Sequence, residues 1–193
     1  DIIYAFVINK DDELITGSLD HMIKIFNMTT GVCKKNLTEH TNAVRALVIN
    51  KDDELISGSW DFTIKIWNMT TGECKRTLTG HTDRVYSLVI NNNDELVSGS
   101  NDTTIRMWNM TTGVCKRILY GHLDNVFSLL INVNNELISS SWDKTIKKWN
   151  MTTGECKQTF IGHSDYIRAL IINEFNELIS GSSDGTIRIW ENV

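Results

Sequence analysis

The chain of 193 residues contains no proline. No Gly- or Ser-rich stretch sets one part off from another either, so one domain is expected over residues 1–193, with no linker. No apolar run approaches the ~18 residues of a membrane span, which argues against a membrane partner. Positive charge is in deficit: 19 Lys and Arg stand against 24 Asp and Glu, a net charge of −5. Non-specific nucleic-acid binding needs a basic field, and this chain has none. Apolar residues nowhere recur at the 3.6-residue helical period, so a helical solenoid is excluded. Cysteine is sparse. Cys33, Cys74, Cys115 and Cys156 fall one to a repeat, too far apart in a repeat array to pair, which favours a reducing, cytoplasmic setting.

What the chain does have is a beat. His40, His81, His122 and His163 follow one another at intervals of 41 residues, and Asp20, Asp61, Asp102, Asp143 and Asp184 keep the same step. Self-similarity at a fixed period of roughly 20–50 residues marks solenoids, propellers or arrays. The repeats divide as 1–40, 41–81, 82–122, 123–163 and 164–193. Being copies of one unit, they can be compared with one another, so that constant positions separate from variable ones.

Residues 41–81 predict four strands: Val44 to Ile49, Glu54 to Ser59, Thr63 to Trp67 and Glu73 to Leu78. These runs are rich in β-branched and aromatic residues and bounded by polar turns. Gly72 suits a left-handed turn position. In Ala46-Leu47-Val48-Ile49 the apolar residues occupy both strand parities, so both faces of each small sheet are expected to be covered. An all-β propeller of four-stranded antiparallel blades satisfies this.

The run Gly80-His81, then Leu96-Val97-Ser98-Gly99-Ser100-Asn101-Asp102, then Thr104-Ile105-Arg106-Met107-Trp108-Asn109 resembles the WD-repeat pattern, and five serial matches cover the chain. The dipeptide that names the family departs here. It reads Trp67-Asn68, Trp108-Asn109, Trp149-Asn150, Trp190-Glu191 and Phe26-Asn27, while Trp60-Asp61 and Trp142-Asp143 lie one turn earlier. The resemblance implies a ring of about seven blades. The chain opens on a first strand and closes on a third, so an arc truncated at both ends is expected. A closed five-bladed ring is the alternative.

Each complete repeat carries one spacing of four polar and aromatic residues. The sets are His40-Ser57-Asp61-Trp67, His81-Ser98-Asp102-Trp108, His122-Ser139-Asp143-Trp149 and His163-Ser180-Asp184-Trp190. Ser, His and Asp together invite a hydrolase reading. Catalysis needs one activated nucleophile in one cleft rather than four copies round a ring, so no enzyme is expected. The resemblance implies structural tetrads in which Asp accepts from His, His bonds Ser, and Ser accepts from the indole N–H. The first repeat is incomplete, with Thr16, Asp20 and Phe26 and its His falling upstream, and is expected to be the weakest blade. Cys74 and His81, seven apart and repeated, lack the closely spaced pairs of a zinc site. No metal or cofactor is expected.

Variation concentrates at a few places. Before the Asp stand Leu19, Trp60, Asn101, Trp142 and Ser183; after it, His21, Phe62, Thr103, Lys144 and Gly185. Three residues beyond the His come Ala43, Arg84, Asn125 and Tyr166, with Ile2 in register; five beyond come Tyr4, Arg45, Tyr86, Phe127 and Arg168. By the resemblance these positions, apart from those after the Asp, face the top of the disc round its channel. Trp, Tyr and Arg are hot-spot types, and loops on a rigid scaffold carry function. A protein or peptide partner is expected there, with a purely structural spacer as the alternative. Arg45, Arg84 and Arg168 add the option of an acidic or phosphorylated segment. Lys148, where sister repeats have Ile66, Met107 and Ile189, has snorkelling along the blade as its default reading.

Overall fold

The structure is a computed structural model that describes residues 1–191. All of its regular structure is strand. The first blade is β1 (Ile3–Ile8), β2 (Glu13–Ser18), β3 (Ile23–Asn27) and β4 (Cys33–Leu37). The second is β5 (Val44–Ile49), β6 (Leu55–Ser59), β7 (Ile64–Trp67) and β8 (Cys74–Leu78). The third is β9 (Val85–Ile90), β10 (Leu96–Ser100), β11 (Ile105–Trp108) and β12 (Cys115–Leu119). The fourth is β13 (Val126–Ile131), β14 (Leu137–Ser141), β15 (Thr145–Trp149) and β16 (Cys156–Ile161). The fifth has three strands, β17 (Ile167–Ile172), β18 (Leu178–Ser182) and β19 (Ile187–Trp190). Each sheet is antiparallel in chain order.

The inner strands β1, β5, β9, β13 and β17 stand side by side, so the blades follow one another round an axis. The ring is not closed; the five blades form an arc of a β-propeller.

Strand starts in the second blade differ by one residue from the sequence reading at β6, β7 and β8. In the turn before β6 the Asn50 Oδ1 accepts from the backbone N–H of Glu54 at 2.8 Å. The residue after each tetrad Asp is left-handed, with φ of 72° at His21 and Phe62, 67° at Thr103, 70° at Lys144 and 80° at Gly185. That position varies in type but not in backbone, which the sequence did not disclose.

Apolar contact between neighbouring blades makes the core. Ile15, Ile23, Ile25 and Leu37 of the first blade pack with Val44, Leu47, Leu55 and Trp67 of the second. The same arrangement recurs between the second and third blades and between the third and fourth. Burying each such side chain stabilises by ~1.5–3 kcal/mol. The backbones come close: a Cβ on Gly58 would lie 2.7 Å from Val85 Cγ1, and one on Gly99 2.7 Å from Val126 Cγ1. At the ends this packing has no counterpart. Phe6 is 71% exposed where its sister Leu47 is 7%, and Ile187 is 76% exposed where Ile64 is 0%.

Lys148 is less of an anomaly in three dimensions. Its Nζ lies 3.6 Å from Glu136 Oε2, a carboxylate that Lys157 also reaches.

Candidate binding surface at the channel mouth

The four tetrads assemble in one geometry. His40 Nδ1 is 2.7 Å from Asp61 Oδ2, His40 Nε2 is 2.7 Å from Ser57 Oγ, and Trp67 Nε1 donates to Ser57 Oγ at 2.8 Å. Ser98 sits between His81 and Trp108 at 2.7 and 2.8 Å, with His81 bonded to Asp102. Ser139 does the same between His122 and Trp149, and Ser180 between His163 and Trp190. With Trp donating and Asp accepting, the imidazole carries its proton on Nδ1, and its Nε2 accepts a hydrogen bond from the seryl hydroxyl. Burial holds His81 and His122 below the ordinary histidine value, only partly opposed by Asp102 and Asp143.

Each tetrad carboxylate collects further donors. Asp61 also accepts from the backbone N–H groups of Thr41 and Thr63 and from the Thr63 hydroxyl at 2.6 Å. Burial alone would raise Asp61, Asp102 and Asp143; hydrogen bonds from the His and the Thr outweigh it and hold all three well below the usual carboxylate range. In the first blade Lys24 Nζ lies 3.0 Å from Asp20 Oδ2.

A second tie escaped the sequence reading. Ser59 Oγ donates to the Asn42 carbonyl at 3.0 Å and accepts from Asp61 N, and Ser100, Ser141 and Ser182 repeat it. The signal was present, because Ser holds this position in all five repeats. Together the ties fix the loop between blades against the β2–β3-type turn.

That rigid frame sets the variable residues. In each blade the residue before the Asp bonds by its backbone to the residue three beyond the His: Trp60 N to Ala43 O at 2.9 Å, Asn101 N to Arg84 O at 2.8 Å, Trp142 N to Asn125 O at 3.0 Å, and Ser183 N to Tyr166 O at 2.8 Å. Tyr4, Arg45, Tyr86, Phe127 and Arg168 each occupy a break in register near the start of the inner strand, where Val44 pairs with Ser59 and Ala46 with Gly58 while Arg45 is skipped. A bulge of this kind re-aims its side chain. All five bulge residues line one cavity of about 350 Å³ along the inner strands.

The rings form a continuous layer. Centroid separations run Tyr4–Trp60 5.5 Å, Trp60–Tyr86 6.3 Å, Tyr86–Phe127 5.2 Å, Phe127–Trp142 6.1 Å and Trp142–Tyr166 4.6 Å. Arg84 lies over Trp60 at 4.5 Å. Arg45 Cζ lies 5.5 Å from Tyr4, 6.0 Å from Tyr86 and 5.1 Å from Phe127. Arg168 caps Phe127 and Trp142 at 5.8 and 5.7 Å.

Not every variable residue presents surface. Ala43, Tyr86 and Asn125 are buried; the layer covers Tyr86, which therefore supports the surface from beneath. Leu19 lies at the first-blade end, Asn101 donates to Asp83 at 2.7 Å, and the Ser183 hydroxyl accepts from Arg168 Nε at 2.6 Å. The indole N–H groups of Trp60 and Trp142 are covered and have no acceptor, so stacking rather than hydrogen bonding holds these rings. Among the described residues, no group of three or more His, Cys, Asp or Glu is placed to hold a metal ion.

A family model described as "WD domain, G-beta repeat" matches residues 31–68, 72–109, 113–150 and 154–191. Each match begins just before a fourth strand and ends after the next blade's third, so the family's unit straddles two blades and contains one whole tetrad. Among curated proteins none matches the chain.

Proposed function

Because the chain belongs to the WD-repeat family, whose repeats generally mediate protein–protein interaction, we propose that it is a non-enzymatic recognition scaffold that binds a protein or peptide across the ringed mouth of the channel. The observation that supports this reading is the convergence of the variable residues. The repeats keep their strands, turns and tetrads constant, while the positions that differ supply one connected layer of Tyr, Trp, Phe and Arg. Drift in unconstrained turns has no reason to favour large rings that stack on one another, whereas hot spots are enriched in these types.

The test is peptide display against the chain, followed by titration calorimetry of selected peptides on Trp60→Ala and Trp142→Ala. Both rings are partly exposed and lie outside the tetrads, and a thermal melt of each variant separates lost stacking from lost binding. Binding is expected to weaken by at least about 10-fold in each variant, as for hot-spot truncation. Peptides that bind both variants like the parent would move the site elsewhere. Failure to select any peptide would favour the spacer.

A further inference from the structure

We propose that the channel mouth holds one anionic side chain of the bound peptide, a carboxylate or a phosphate, between Arg45 and Arg168. The inference rests on the reading of the ringed mouth as a peptide-binding surface. It narrows three candidate arginines to two.

Charge pairing is the first ground. Nine lysines form ion pairs with carboxylates: Lys10, Lys24, Lys34, Lys51, Lys65, Lys75, Lys116, Lys148 and Lys157. Among the described residues no arginine forms an ion pair, Arg45, Arg84 and Arg168 included, in a chain whose net charge is −5. What sets Arg45 and Arg168 apart is that they line a cavity whose described lining holds no Asp or Glu.

Burial is the second. Arg45 is partly covered by rings, and its one recorded polar contact is a marginal 3.5 Å approach to the Tyr4 carbonyl. Burial lowers Arg45 from the ordinary guanidinium value, as expected for a cation drawn out of water without a counter-ion. A guanidinium carries five donors, so most of those on Arg45 are left for a ligand.

Geometry is the third. Arg45 Cζ and Arg168 Cζ lie 5.1 and 5.8 Å from the centroid of one ring, Phe127. Two like charges therefore stand against one ring and line one cavity of about 350 Å³, which Ser87 and Ser128 also line. An anion entering there neutralises both and accepts charge-assisted hydrogen bonds from each. Arg84 differs: it is exposed, lies over Trp60, and does not line this cavity.

The experiment uses arrays of degenerate peptides whose central residue is fixed as phosphoserine, Glu, Ser or Gln. They are probed with the chain, with Arg45→Gln, with Arg168→Gln, with Arg84→Gln and with the Trp60→Ala, Trp142→Ala pair. Retention is expected on the phosphoserine or Glu arrays over the Ser and Gln arrays. It should drop at least about 10-fold in Arg45→Gln and Arg168→Gln, as for loss of a hydrogen bond to a charged group, and survive in Arg84→Gln. Which anionic array wins tells phosphate from carboxylate. Arg168 is exposed, so its variant keeps the test valid if Arg45→Gln melts early. Equal retention on all four arrays, lost only in the Trp pair, would overturn the anion subsite and leave the peptide-binding reading standing. Retention insensitive to the Trp pair would overturn both.

Discussion

Replacing Ser98 by Ala removes one hydroxyl and strands two buried groups. In the parent, Ser98 Oγ accepts from the Trp108 indole at 2.8 Å and bonds His81 Nε2 at 2.7 Å. Ser98 is 0% exposed and Trp108 1%, so water does not replace the missing partner. A buried donor or acceptor left unsatisfied costs ~1–3 kcal/mol, and two of them put the expected loss at about 2–6 kcal/mol. That is a large part of the ~5–15 kcal/mol by which a domain is stable. The first blade supplies the control. Thr16 stands where the others have Ser, with Phe26 in place of the Trp, so its hydroxyl serves no indole. Thr16→Ala should therefore cost about a methyl group, ~1 kcal/mol. Urea unfolding followed by Trp fluorescence measures both, with the m-value checked for constancy. Amide exchange on β10 and β11 shows whether the loss is local. A Ser98→Ala cost no greater than that of Thr16→Ala would refute the claim that partner satisfaction makes the tetrad matter.

Three further outcomes follow from the same geometry. Acid should destabilise in two stages: His81 and His122 sit below their ordinary value, so the unfolded chain takes up protons first and stability declines below about pH 6.5. The depressed Asp61, Asp102 and Asp143 then add a second loss below about pH 3.9, and urea midpoints from pH 7.5 to 3 read both. Gly58→Ala should cost ~1–3 kcal/mol through its clash with Val85, whereas Gly181→Ala, with only Ala169 at 4.0 Å, should be close to neutral in the same unfolding assay. The uncovered end faces should make the chain self-associate with rising concentration in light scattering, and Phe6→Asp with Ile187→Lys should suppress it. A monodisperse parent would show that these faces are not adhesive.

The sequence alone determined the parts that local chemistry governs. Forty-one-residue spacing, β-branched strands and polar turns specified five blades, and a constant His, Ser, Asp and Trp marked the tetrads, because the residues of a blade and its own loop satisfy one another. It also told constant from variable positions. What it left open depends on how blades are rotated against their neighbours. Arg45 touches the ring of Phe127, 82 positions along the chain, only because both occupy bulges that turn towards a common axis. Tyr86 reads as surface in the chain and is buried in the fold, because rings from adjoining blades close over it. Lys148 breaks an apolar pattern until Glu136, in the turn before the neighbouring strand, is brought beside it. The exposed Phe6 and Ile187 have the same surroundings in sequence as their buried sisters; only the presence or absence of a flanking blade tells them apart. A period fixes what each unit is, and packing between units fixes which of its side chains meet a partner.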